Sequence, residues 1–263
     1  VSFGSDLSLY SSYFTAFIEN SHFWENSASS GGAIASGGRN VLVSGSTFVK
    51  KTARLYGGGI NDNSLNLTVQ NSLFDQNSAD SWGGAIYSNW KLVLQNSTLS
   101  GNTALVVGGG IAFGTTGAEF VIINSTLTGN AAAKIGGGIY SLGSVTSMIR
   151  NSIIAGNSAP SIPQALPYYT KYNTILQNSV EGLLDPVLRD NGGLMKTHAL
   201  LPGSAAIDAG DDEAGERRQP DAGEDEREQP RQEQRDADIL HQGRRLAPGG
   251  RCGRRHEHKG ERK

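Results

Sequence analysis

The residues able to carry acid–base chemistry are few and scattered. The repeat region offers Asp6, Glu19, Glu25, Asp62, Asp75, Asp80 and Glu119. Hydrolysis of a glycosidic bond needs two carboxyl groups facing each other across the bond. Elimination from a uronic acid needs a base, often Arg or Lys, and commonly an Asp-bound calcium to quench the substrate carboxylate. Aligned by the repeat described below, Asp62 falls beside Ser36 and Ser88, with no second acid adjacent. Glu25 and Asp75 fall near one column, two rungs or about 10 Å apart at the ordinary strand spacing, with Lys50 between them. Asp62, Asp75 and Glu25 are thus the only weak catalytic candidates, and they are expected as exposed charges on turns. His22 and His198 read as isolated. Tyr87, Trp90 and Tyr140 follow a repeated Gly-Gly-Ile motif and are the candidate ligand-binding rings, since exposed aromatic faces stack on sugars. No metal site or cofactor is expected. Calcium enters only with the lyase alternative. His256-Glu257-His258 lacks the spacing of a closed zinc site.

What must position these residues is a sixfold repeat. Asn20-Ser21-His22-Phe23 through Asn26-Ser27-Ala28 precedes Gly31-Gly32-Ala33-Ile34, and Asn71 through Ala79 precedes Gly83-Gly84-Ala85-Ile86. Asn96 to Asn102 and Asn124 to Asn130 run into Gly-Gly-Gly-Ile. Gly45 to Lys51 is a degenerate copy and Asn151 to Asn157 a partial one. The period, roughly 25–28 residues, is that of a solenoid. Short β-branched runs such as Leu65–Val69, Leu92–Leu94 and Phe120–Ile123 read as strands, and no segment shows a capped helical period. The fold expected is all-β: a right-handed parallel β-helix, with about three strands per coil. Ile34, Ile60, Ile86, Ile111 and Ile139 form one interior column; Phe23, Phe48, Phe74, Leu99, Leu127 and Ile154 form another. The two asparagine columns, Asn20 to Asn151 and Asn26 to Asn157, read as amide ladders at turns. Sequons at Asn66, Asn96 and Asn124 are by-products of the repeat.

The domain reading is 1–178 β-helix, 179–210 a C-terminal capping block, and 211–263 a disordered charged tail. That tail holds over half of the charged residues, no Phe, Trp or Tyr, and the single cysteine, Cys252, which excludes an intrachain disulfide. Its acids and bases are interleaved, which argues against nucleic acid. Pro160, Pro163 and Pro167 break the repeat, with Tyr172–Leu176 as a last strand. No apolar run is long enough to span a membrane. The absence of an initiator Met reads as a fragment of a longer protein.

The block Asp185-Pro186-Val187-Leu188, Asp190-Asn191-Gly192-Gly193, Lys196 to Ser204 and Ala206-Ile207-Asp208-Ala209-Gly210 resembles the C-terminal block of choice-of-anchor Q proteins, bacterial surface or secreted proteins with pectin-lyase-like repeats. The short Gly-Gly-Ala-Ile and Phe-x-x-Asn motifs are also similar to polymorphic outer-membrane protein repeats. Residues 1–210 carry the resemblance. Leu194 and Ala205 stand where that family commonly has Pro, and the abrupt change after Gly210 suggests a reading-frame shift near Asp211, testable by translating the other two frames. The resemblance implies a secreted or cell-surface protein, and the scarcity of paired charges makes a non-catalytic stalk or adhesin-like module, monomeric, with polysaccharide or cell-surface glycans as the ligand class, the expected function. The alternative is a polysaccharide lyase or glycoside hydrolase of pectin-lyase-like fold. An ice- or mineral-binding face would need a flat Thr array, and only Thr47, Thr98 and Thr126 share a column.

Overall fold

The computed structural model describes residues 2–3, 7–9, 15–143, 147–165 and 169–210. The expected tail, 211–263, and Tyr168 lie outside the described residues. Every described strand pairs in parallel with its equivalent one coil away, and no described residue is helical. The chain is a parallel β-helix, right-handed as parallel crossovers are.

A coil has four strands, not three. One complete turn runs Ile60–Asp62, Asn66–Gln70, Leu73–Asp75 and Ser78–Ala79 before Ile86–Ser88 pairs with Ile60–Asp62 one rung on. Stacking gives a six-stranded isoleucine sheet, a seven-stranded sheet of the longest strands, an eight-stranded phenylalanine sheet and a five-stranded sheet of two-residue strands. The fourth strand is too short to show as a periodic run.

Three left-handed corners per coil close the turn. The first is Asn20, Gly45, Asn71, Asn96, Asn124, Asn151 and Asn173, with φ between +43° and +57°. The second is Glu25, Lys50, Gln76, Gly101, Gly129 and Gly156; the third is the first glycine of each Gly-Gly pair, such as Gly83 at +72°. Asparagine and glycine suit this region because others clash there. The second glycine serves another purpose. A Cβ on Gly84 would come within 2.2 Å of the Gly109 carbonyl and 2.6 Å of the Thr103 nitrogen.

Alternation then sorts the side chains. In Asn66–Gln70, Leu67 and Val69 point inward while Asn66, Thr68 and Gln70 face out. The two expected interior columns hold, and every member is buried. Phe23, Phe48 and Phe74 stack at centroid separations of 4.8 and 4.4 Å.

The two asparagine columns differ. The Asn20–Asn173 column turns the chain, and Asn96 Nδ2 reaches Asn71 Oδ1 only at 3.3 Å. The other is a buried ladder. Asn77, Asn102 and Asn130 each donate Nδ2 to the next Oδ1 at 2.8–2.9 Å, and the run continues through Asn157 to Gln164. Each Oδ1 also accepts the main-chain N–H of the preceding rung.

The stretch after Asn157 is not one strand but one more corner. Thr170–Tyr172 joins the long-strand sheet, Asn173 turns at +43°, and Ile175–Gln177 joins the phenylalanine sheet. Residues 180–210 then fold back along the outer face of that sheet. Arg189 and Thr197 exchange main-chain hydrogen bonds as a small antiparallel hairpin. Leu183, Leu184 and Ala206 pack on Ile153, Ala155 and Ile175.

Candidate functional site

The second left-handed corner gathers the first of the expected acids. Glu25 and Lys50 adopt φ of +50° and +52° where later coils place Gly101, Gly129 and Gly156. Each non-glycine residue costs about 1–2 kcal/mol there. Lys50 Nζ lies 3.6 Å from Glu25 Oε1 and 5.6 Å from the Trp24 ring centre. Both charged side chains are half exposed, so the ion pair adds little stability. Trp24 itself is exposed and packs beside His22, which contacts Thr47. Asp75 stands in the adjacent column, paired with Val49 and Ser100. Partial burial raises its carboxyl above the ordinary value, while the Gln76 amide and the His198, Lys196 and Lys50 charges oppose that rise. Glu25 and Asp75 therefore share a face without facing each other across a cleft.

Asp62 is not an exposed turn charge. It points into the coil and is fully buried, because strand alternation puts its column inside with Ser36 and Ser88. Ser36 Oγ and Ser64 Oγ each donate to its Oδ1 at 2.6 Å, Ser64 N donates at 3.1 Å, and Ser88 Oγ donates to Oδ2 at 3.1 Å. Burial raises its carboxyl above the ordinary value and the serine donors only partly offset this. The neighbours expected from the repeat are the ones found, and they bond it as a structural anchor.

The aromatic candidates do not form one platform. Tyr87 is only 9% exposed, stacked on Tyr56 at 4.7 Å, and donates its hydroxyl to Asn89 Oδ1 at 2.9 Å. Trp82 joins it edge-on and also meets Tyr140 at 5.6 Å. Trp90 lies outside this cluster and is 47% exposed.

His198 is not isolated. Its Nδ1 lies 2.8 Å from the Asp185 carbonyl and its Nε2 2.9 Å from Ser100 Oγ. The carbonyl can only accept, so Nδ1 carries a proton, and Nε2 shares a hydrogen bond with the Ser100 hydroxyl, which can either donate or accept. Ser100 is buried under the folded-back block, so the pair clasps block to coil. Asp185 reinforces the block. Its carboxylate accepts from Val187 N at 2.8 Å and Arg189 Nε at 3.1 Å, which hold it below the usual carboxylate range.

Two features escaped the sequence reading. One is a serine ladder inside the first corner: Ser21, Ser46, Ser72, Ser97 and Ser125 each donate N–H to the next serine Oγ at 3.1–3.2 Å. The serine after each corner residue, Asn-Ser in five units and Gly45-Ser46 in the degenerate one, was its signal. The other is Lys51, which occupies an asparagine rung. It is fully buried, and burial lowers its ammonium to about 8. No cluster of His, Cys, Asp or Glu fit to hold a metal occurs among the described residues.

The family model for the Chlamydia polymorphic membrane protein repeat matches residues 71–89. The matched segment contains residues that shape a coil here: Phe74 in the interior stack, Asn77 in the ladder, the Gly83-Gly84 bend and the interior Ile86. No match to a curated protein or to a solved structure was found.

Proposed function

We propose that the chain is a surface-displayed β-helix module, stalk-like or adhesin-like, without catalytic activity. The observation that carries this is the direction of the repeated residues. The repeated Phe and Ile, the ladder asparagines and the paired glycines are used inside the coil or at its bends, so the motif specifies a stiff scaffold and leaves the outward faces free to vary. A solenoid of this kind presents a long regular surface. The match at residues 71–89 to a membrane protein repeat supports outer-membrane or surface display, and the resemblance of residues 185–210 to choice-of-anchor Q proteins agrees with it. Against the lyase or hydrolase alternative stand a serine-sealed Asp62 and the lack of facing carboxylates at Glu25 and Asp75.

Trp24 and Trp90, like Phe17 and Tyr172, are exposed enough to meet a glycan, and Tyr87 is not. The strained Trp24–Glu25–Lys50 corner favours the adhesin form of the reading, because glycine would fit the backbone better and the charged pair returns little stability. Antibodies to the purified chain, applied to intact source cells, test display. Labelling before permeabilisation is the expected result; labelling only afterwards overturns it.

A further inference from the structure

The amide ladder has one break. From Asn77 to Asn157 each amide hydrogen finds the next Oδ1, and Gln164 Oε1 ends the run. Asn26 sits in the same column one rung before Lys51, as the pairing of Ser27 with Thr52 and the 3.0 Å bond from Thr52 N to Asn26 O require. Lysine has no Oδ1 to offer. Asn26 Nδ2 and Lys51 Nζ are both buried donors, and neither has a hydrogen-bond partner among the described residues. Glu25 is the acid that acts on Lys51, but its carboxylate is held by Lys50 at 3.6 Å instead. A buried donor without an acceptor costs about 1–3 kcal/mol, more when charged.

We propose that the Asn26–Lys51 rung binds a small monovalent anion, chloride in ordinary buffers, which accepts from Asn26 Nδ2 and Lys51 Nζ in place of the missing Oδ1. A monatomic anion suits the rung because it balances the ammonium and accepts from any direction. A water would bring two hydrogens of its own, and an oxyanion several more acceptor atoms, to a step where the two unpartnered side-chain atoms are both donors. The inference is independent of surface display.

The test compares the parent with Lys51→Asn, which restores the ladder residue, by thermal unfolding near neutral pH in chloride, bromide and gluconate at matched ionic strength. The parent's Tm rises saturably with either halide, as binding to the native state requires, and the variant's does not. Parent crystals in bromide show an anomalous peak within hydrogen-bonding reach of both nitrogens. In gluconate the parent gains stability relative to the variant as pH rises from about 8 towards 10.5, because the unfolded lysine then holds a proton that the folded one has lost. Chloride flattens that rise. A parent Tm indifferent to halide, an alkaline rise that chloride leaves unchanged, or no bromide peak at the rung overturns the proposal.

Discussion

Truncating Asn102 to Ala separates the ladder from the turn asparagines. Asn102 is fully buried and uses both ends of its amide. Its Oδ1 accepts from Asn77 N at 2.9 Å and Asn77 Nδ2 at 2.8 Å; its Nδ2 donates to Phe74 O at 3.1 Å and Asn130 Oδ1 at 2.8 Å. Alanine removes all four bonds. Asn77 Nδ2 keeps a bond to Phe48 O, and Asn130 Oδ1 keeps the Asn102 main-chain N–H. The sharpest losses are the acceptor for the Asn77 N–H and the side-chain donor to the Phe74 carbonyl. At about 1–3 kcal/mol per lost buried partner, the two total about 2–6 kcal/mol. The control is Asn96, exposed at φ +48° with one bond of 3.3 Å. Asn96→Ala costs about 1–2 kcal/mol from left-handed strain, and Asn96→Gly costs close to nothing. Urea unfolding with unchanged m values reads all three. An Asn102→Ala cost no larger than that of Asn96→Ala would refute the buried-ladder reasoning.

Further outcomes follow from the same geometry. Gly84→Ala drives a Cβ into the next coil's backbone at 2.2 Å and costs about 3 kcal/mol or more by urea unfolding; a neutral result contradicts the close approach. Glu25→Gly and Lys50→Gly each stabilise the protein by about 1 kcal/mol by relieving left-handed strain, while weakening any partner bound at Trp24; a loss of stability contradicts this. The folded protein holds the Asp62 proton at pH values where the unfolded chain, with its ordinary value of 3.8, has released it. Stability linked to Asp62 is therefore present at acid pH and falls as pH rises through that window. Asp62→Asn is accordingly more stable than the parent at neutral pH, and the two converge in acid; a gap that widens in acid contradicts it. His198→Ala frees residues 180–210 for limited proteolysis while the coils resist, and an unchanged cleavage pattern removes the clasp.

The coil was legible because its interior repeats. Phe74, Ile86 and the Gly83-Gly84 bend recur at a fixed period, and each recurrence answers to one packing demand. What was not legible lacked either period or length. Ser78–Ala79 makes a strand of two residues, too short for alternation to show. Asn173-Thr174-Ile175-Leu176-Gln177-Asn178 repeats the corner with one residue fewer before its second asparagine, and that shift hid the last rung. Asp62 looked exposed because acids usually are; only the strand register shows that its column faces inward. The Ser100–His198 contact joins residues 98 apart in sequence, and no local pattern reports such a pairing. The two asparagine columns share a residue type, and position alone makes one a ladder and the other a hinge.

The most direct test of the central claim is a panel of neutral and uronate-containing polysaccharides, incubated with the chain with and without calcium and followed for new reducing or unsaturated ends. The account predicts no product from any of them, at most retention on a glycan that weakens with Trp24→Ala or Trp90→Ala. Depolymerisation that Asp75→Ala or Asp62→Ala abolishes, in a variant that still folds, would contradict it.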